Sequence, residues 1–346
     1  MACCLIGLGS NLGNREESLH QAATRLSRWP DVTQIALSRW RQTAPVGGPA
    51  GQGVFLNGAA VVETSLAPEA LLAALLAIEV DLGRRPGERW GPRVVGLDLL
   101  LYDQLVLDTP ALLVPHPRMA WRRFVLEPAA EVAPEMLHPT TGWTVRRLLD
   151  HLNRAIPYVA ITGRAGAGKT WLAEQLVRCA GAEWITVAKA PAPRRERGKN
   201  RPGNAWSAVV EFLDRTTHML AAELPQWCEP GRLWVSDFWF DQFVAYARVA
   251  LGADRLDDFC RQWRQRRGRV IQPKLIVLVD PPPDQPGHGP PGECAAAGPE
   301  SAFLRRVGQE IRAEAMQPGR GPVLRLGGSD RQAWLGEVLA AVEAMK

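Results

Sequence analysis

Gly163-Arg-Ala-Gly-Ala-Gly168-Lys169-Thr170 is the segment of this chain whose chemistry is most sharply defined. It matches G-x-x-x-x-G-K-T in full. An apolar run, Tyr158-Val-Ala-Ile-Thr162, precedes it, and a helix-patterned stretch to Cys179 follows. Backbone amides in such a turn cradle phosphate oxygens, Lys169 neutralises β/γ charge and Thr170 ligates magnesium. ATP with Mg2+ is therefore the expected ligand, with Gly163 and Gly168 shaping the turn. The chain's first lysine falls here, which argues for a required ammonium.

Three more clusters stand in the first 150 residues. Glu88-Arg-Trp-Gly-Pro-Arg93 sets two guanidinium forks and an indole ahead of a strand-like segment bearing Asp98. Pro115-His-Pro-Arg118 is followed by Arg122 and Phe124, and Thr43-Ala-Pro-Val-Gly47 by Phe55-Leu-Asn57. Singly, each has an ordinary reading: solvated arginines, a core tryptophan, a surface carboxylate. Of the 41 basic residues only five are lysines (Lys169, Lys189, Lys199, Lys274, Lys346). Arginine forks bind phosphates bidentately and suit polyphosphate ligands, although a GC-rich genome gives the same bias.

The elements that must position these residues fall into two sets. A length of 346 residues exceeds what one core serves, and 46% hydrophobic residues exclude a disordered chain. Residues 3–8 form an apolar run entering a turn, and 15–29 carry Leu19, Ala22, Ala23 and Leu26 at helical spacing. Alternation at 32–41, a strand over 54–64, a helix over 66–82 opened by Ser65 and Pro68, and a strand over 94–102 follow. This order predicts an α+β, ferredoxin-like N-terminal domain over 1–155, an antiparallel sheet with helices on one face. From 158 onward strands alternate with helices, at 158–162, 233–235, 275–279 and 323–326. That pattern predicts an α/β P-loop domain over 156–346, a parallel doubly wound sheet. Residues 190–204 and 281–300 are Pro-rich or low-complexity and read as loops.

Six cysteines show no C-x-x-C spacing, and the N-terminus lacks a signal-peptide pattern. No apolar stretch reaches the ~18 residues of a membrane helix. A soluble protein in a reducing cytoplasm is expected, with no membrane partner. A net charge of +5 without a DNA-binding motif argues against nucleic acid. Oligomeric state leaves no mark in the sequence.

Taken together, GLGSNLG, ERWGPR…LDLLLY, VPHPR…RRFVL and EVAP…HP resemble, in family order over about 3–152, the 6-hydroxymethyl-7,8-dihydropterin pyrophosphokinases. Those enzymes of tetrahydrofolate synthesis move pyrophosphate from ATP to a pterin alcohol. The resemblance implies that Thr43, Val46 and Asn57 hydrogen-bond the pterin while Phe55 and Phe124 sandwich it. It implies that Arg84, Arg89, Arg93, His116 and Arg122 clamp the ATP phosphates, Trp90 helps close a lid and Glu79 contacts the nucleotide. In the family, Asp-x-Asp on the last strand holds two magnesium ions. Here the segment is Gly96-Leu-Asp98, so only Asp98 is left to bind metal. Loss of one carboxylate predicts a weakened metal pair and slowed transfer. Asp103, an odd number of positions beyond 96, faces away on a regular strand. Leu76 is apolar where the family often has a polar contact on the adenine side.

The second domain resembles, more thinly, deoxynucleoside and thymidylate kinases, through Val235-Ser-Asp237-Phe-Trp-Phe-Asp241 and Gln272-Pro-Lys-Leu-Ile-Val-Leu-Val-Asp-Pro-Pro. That resemblance implies Asp237 as base or metal carboxylate, aromatics at 238–240 and Tyr246 stacking on a base, and a deoxynucleoside as candidate acceptor. A helix cap is the plainer reading of Asp237. The Glu-Pro expected after the second strand is replaced by Ile185-Thr-Val-Ala-Lys189, and the Arg-rich lid by 281–300. Phosphate contacts would then come from Arg194, Arg195 and Arg197, or Arg305 and Arg306. The leading reading is a two-site enzyme. Two alternatives stay open: a weakly catalytic pterin-binding module that regulates or scaffolds the kinase, and a plain ATPase in the second domain.

Overall fold

The computed structural model describes residues 1–346 apart from Pro86, Glu88, Arg89, 187–202, Pro230 and 281–298. The chain divides into two compact units, Met1–Arg154 with Gly336–Lys346, and Ala155–Leu335.

The first unit begins β1 (Ala2–Ser10), α1 (Arg15–Ser27), β2 (Val32–Leu37), β3 (Arg41–Thr43), β4 (Phe55–Thr64), α2 (Pro68–Asp81), β5 (Gly96–Tyr102). Its sheet runs β2-β4-β1-β5, with β3 paired to β4, and every pairing is antiparallel. Two small hairpins follow, β6 (Leu107–Asp108) with β7 (Leu113–Val114) and β8 (Leu137–His138) with β9 (Trp143–Thr144). Between and after them lie α3 (Arg123–Val132) and α4 (Val145–Arg154).

Helix α1 starts where the Asn14 side chain accepts the Glu17 amide, and Glu16 and Glu17 suit the positive N-terminus. It buries Leu19, Ala22, Ala23 and Leu26, three or four positions apart. Helix α2 starts differently from the expected Ser65 cap. Ala67 is its N-cap, without a side-chain bond, and Pro68 supplies the preset φ of the first turn. Leu71, Leu75, Ile78 and Glu79 are its buried stripe, so a carboxylate ends an otherwise apolar face.

The second unit holds a parallel sheet of order β11-β12-β10-β13-β14. Its strands are β10 (Tyr158–Gly163), β11 (Glu183–Ile185), β12 (Trp234–Ser236), β13 (Leu275–Val279) and β14 (Val323–Leu326). Helices α5 (Lys169–Ala180), α6 (Gly203–Met219), α7 (Gln242–Ala250), α8 (Ala253–Arg267) and α9 (Pro299–Ala315) intervene, and α10 (Arg331–Ala344) follows β14, its residues from Gly336 on belonging to the first unit. β13 is buried along its whole length, as a strand covered on both faces must be. Of the two segments read as loops, 281–298 and most of 190–204 lie outside the described residues, while Gly203 already opens α6.

Two leucines of α2 test this packing. Leu71 is fully buried and Leu76 is 48% exposed. Leu71→Ala is expected to lower the first unit's denaturation midpoint by an equivalent of about 2–5 kcal/mol, and Leu76→Ala to move it by less than about 0.5 kcal/mol.

Candidate active site

Strand β5 lies at an edge of its sheet, so alternate amides and carbonyls point away from β1. The buried carboxylate of Glu79 accepts the Leu97 amide at 2.6 Å, and the same oxygen takes the Arg84 guanidinium. The His116 amide donates to the Leu100 carbonyl at 2.9 Å. α2 and the segment after β7 thus finish the edge that carries Gly96 and Asp98.

A cavity of about 740 Å³ opens there. Thr43, Val46, Phe55, Asn57, Glu79, Arg84, Trp90, Arg93, Asp98, His116, Arg122 and Phe124 all line it, as do Leu76, Arg85 and Arg118. Arg89 lies outside the described residues. The Asn57 amide donates to the Thr43 hydroxyl at 2.7 Å across the β3–β4 pairing. The Arg93 guanidinium lies over the Phe55 ring at 5.7 Å and that of Arg122 over Phe124 at 5.5 Å. Arg84, expected on the phosphates, is paired with Glu79, and Glu79 itself is committed to Arg84 and Leu97.

Two residues outside the expected set join these parts. Asn11 holds Arg93 at the main chain, donating its amide to the Arg93 carbonyl (3.1 Å) and accepting the Arg93 amide on Oδ1 (2.8 Å). Gln52 accepts from the Asn11 side chain (3.3 Å) and donates to the carbonyls of Gly47 (3.1 Å) and Trp90 (3.0 Å). Trp90 sits at φ 59 with its ring against Gly47. A Cβ on Gly48 would stand 2.3 Å from the Trp90 carbonyl oxygen, so this glycine is needed for the two loops to meet. Asn11 was visible in GLGSNLG. Gln52 carries no local signal, because its partners come from three separate segments.

The cavity is cationic around the half-buried carboxylate of Asp98. Burial alone would raise the Asp98 pKa, but His116, Arg93, Arg122 and Arg84 hold it below the ordinary carboxylate value. Burial pushes His116 down to about 4 and Arg122 down to about 10. His116 accepts the Arg118 amide on Nδ1 at 3.1 Å, as a neutral ring does. Arg118 also donates to both oxygens of Glu337 of the same unit, at 3.2 and 2.9 Å. Asp103 is engaged elsewhere, accepting the Cys3 amide at 2.8 Å.

In the second unit Gly163–Thr170 turns between β10 and α5. The Lys169 ammonium donates to the carbonyls of Gly163 (3.1 Å) and Arg164 (2.8 Å), and burial pulls its pKa down to about 8. The Thr170 hydroxyl donates to Asp237 Oδ2 at 2.7 Å. Asp237 follows β12 and is not the α7 cap, which is Asp241. Phe238, Trp239 and Phe240 do not offer stacking faces. All three are buried in the unit's core, with Tyr246 packed against it. Arg305 and Arg306 are exposed on α9, and Arg194, Arg195 and Arg197 lie outside the described residues. No described helix is long and apolar enough to cross a membrane.

Comparison with known proteins separates the two units. The model of the 7,8-dihydro-6-hydroxymethylpterin-pyrophosphokinase family matches residues 5–134. A 2-amino-4-hydroxy-6-hydroxymethyldihydropteridine pyrophosphokinase of Pseudomonas aeruginosa is 41% identical over 162 residues, 47% of this chain and 96% of that protein. Its counterpart in Bacillus subtilis is 45% identical over 137 residues, 40% of this chain and 81% of that one. The chain belongs to this pyrophosphokinase family. Among solved structures, deoxyadenosine kinase from M. mycoides with bound dCTP aligns with 53% of this chain and 96% of its own. The identity is 10% and the TM-score 0.42. That likeness, which falls on the C-terminal part, is too loose to transfer an activity.

The two depressed histidines make a testable pH dependence. His116 and the buried His138 both have folded pKa values of about 4, below the ordinary 6.5. The unfolded chain therefore takes up these protons first, and stability falls as pH drops from about 6.5 towards 4. Asp98, also depressed, adds to the loss at lower pH. In melting curves from pH 7 to 4, His116→Gln and His138→Gln should each flatten the decline, whatever they do to the midpoint at pH 7.

Proposed function

We propose that the first unit transfers pyrophosphate from ATP to the hydroxymethyl group of a dihydropterin. The observation that carries this reading is one cavity lined by both halves of the required chemistry. The Thr43–Asn57 pair and the rings of Phe55 and Phe124 suit a flat, amide-rich heterocycle. Arg84, Arg93, Arg122 and His116 suit a triphosphate, with Arg85 and Arg118 adding charge. The strand order and antiparallel pairing support a ferredoxin-like assignment for this unit.

The arrangement has a mechanism in its own residues. Asn57 and Thr43 orient the pterin, whose hydroxyl oxygen bonds to the β phosphorus as the α,β-bridging oxygen leaves with AMP, and the arginines offset the charge growing on that bridging oxygen. Trp90, fixed by Gln52 and Gly48, covers the site and limits water. Asp98 would hold a divalent cation brought in by the nucleotide, and that ion would supply further phosphate neutralisation.

The second unit is read as an ATP-dependent kinase acting on a nucleoside or nucleotide. Lys169 and the turn amides would take the β and γ phosphates. Thr170 and Asp237, already 2.7 Å apart, are a hydroxyl–carboxylate pair suited to magnesium. Gly96 favours a second reading of the first unit alone, in which it binds pterin and ATP but transfers slowly and serves the kinase as a sensor.

The two sites give different products, AMP from pyrophosphoryl transfer and ADP from phosphoryl transfer. In the full chain, Lys169→Ala is expected to abolish nucleoside-dependent ADP while pterin-dependent AMP continues. Arg122→Ala should lower AMP formation by two orders of magnitude or more, as about 2.7 kcal/mol of transition-state stabilisation implies. Pterin-independent AMP, or none, would sink the first assignment. ADP formed at the same rate with and without nucleosides would reduce the second unit to an ATPase.

A further inference from the structure

The pairing of β1 with β5 sets Gly9 directly opposite Gly96, which leaves a bare patch of sheet on the cavity side of Asp98. Arg93 fills that patch. A Cβ built on Gly96 would meet Arg93 Nε at 2.9 Å, Cζ at 3.0 Å and Cδ at 3.1 Å, and one on Gly9 would lie 3.9 Å from an Arg93 terminal nitrogen. The Arg93 Nε is buried and has no hydrogen-bond partner among the described residues. Its main chain is pinned by Asn11 and its guanidinium is backed by Phe55. A fixed cation with an unused donor thus lies where a second carboxylate would have to project.

The described residues do not fit a carboxylate-held pair of metal ions. Among them no group of three His, Cys, Asp or Glu side chains could hold an ion. Of the carboxylates near β5, Glu79 is bound to Leu97 and Arg84, and Asp103 to Cys3. Asp98 remains, and one carboxylate can hold an ion only together with phosphate oxygens of a ligand.

We infer that this site takes its triphosphate with a single divalent cation at Asp98, and that the Arg93 guanidinium, laid over Gly96, supplies the positive charge on the other side. The inference rests on the pyrophosphokinase reading and concerns how that site is charged. Arg93 is a positioning and charge-bearing group whose present place depends on glycine at 96. An aspartate there would meet side-chain atoms of Arg93 and no backbone, so it could be admitted only by a shift of that guanidinium.

The test counts ions. Mn2+ bound to the full chain is titrated by electron paramagnetic resonance with saturating α,β-methylene-ATP, in a Lys169→Ala background that silences the P-loop. One ion per chain is expected, rising to two when Gly96→Asp is added. Two ions with Gly96 in place, or one after Gly96→Asp, overturns the inference. None in either protein, with melting curves unchanged, means that nucleotide does not enter the cavity and overturns the pyrophosphokinase reading too. A second measurement needs no metal count. Arg93→Met should weaken binding of the analogue at least ten-fold, about 1.4 kcal/mol, and by clearly less in the Gly96→Asp background, while Arg93→Lys retains most of it. Equal losses in both backgrounds would show that Arg93 and position 96 act independently, against the inference.

Discussion

A single buried carboxylate sets the geometry of the first unit. Glu79 ends the apolar stripe of α2, yet it cannot be replaced by another leucine without leaving the Leu97 amide unpaired at the sheet edge. Burial raises its pKa, and the Leu97 amide and Arg84 pull against that rise. Removing Arg84 would leave the Glu79 carboxylate buried with the Leu97 amide as its remaining partner, whereas Arg84, about a third exposed, could turn to solvent if Glu79 were lost. The strand held this way is the one bearing Gly96 and Asp98, and Arg84 is held beside it. Glu79, which lines the cavity, also braces its floor.

The two units solve the same electrostatic problem with different means. In the second, one lysine is folded back onto carbonyls of its own loop, and a threonine–aspartate pair stands ready beside it. Arg331 stands beside Gly168 of the same turn. The first unit draws its guanidinium groups from two connections, α2–β5 and β7–α3, and sets Arg93, Arg118 and Arg122 on aromatic faces, which keeps like charges apart while a polyphosphate is absent. Arginines lie on rings in both units, where a planar fork fits better than an ammonium, and every lysine falls at or beyond Lys169.

Much of this was legible in the residues themselves. The apolar periods of 15–29 and 66–82, and the order of motifs from GLGSNLG to RRFVL, led to the right elements within a few residues and to most of the cavity's lining. What could not be read were contacts whose partners are far apart in the chain. Gln52 gains its meaning only from Asn11, Gly47 and Trp90. Phe238, Trp239 and Phe240 resembled a base-stacking set because aromatic character is local, whereas burial is decided by α6, α8 and α9 packing around them. Asp237 was ambiguous between cap and ligand until the helix start fell at Gln242.

Residues Gly336–Lys346 cluster with Met1–Arg154, and Glu337 grips Arg118 across 219 positions of sequence. During synthesis residues 1–154 emerge from the ribosome before that glutamate has been added. Until that residue is added, Arg118 of the cavity lacks this carboxylate partner. The unit is one body in space and two separate stretches in sequence.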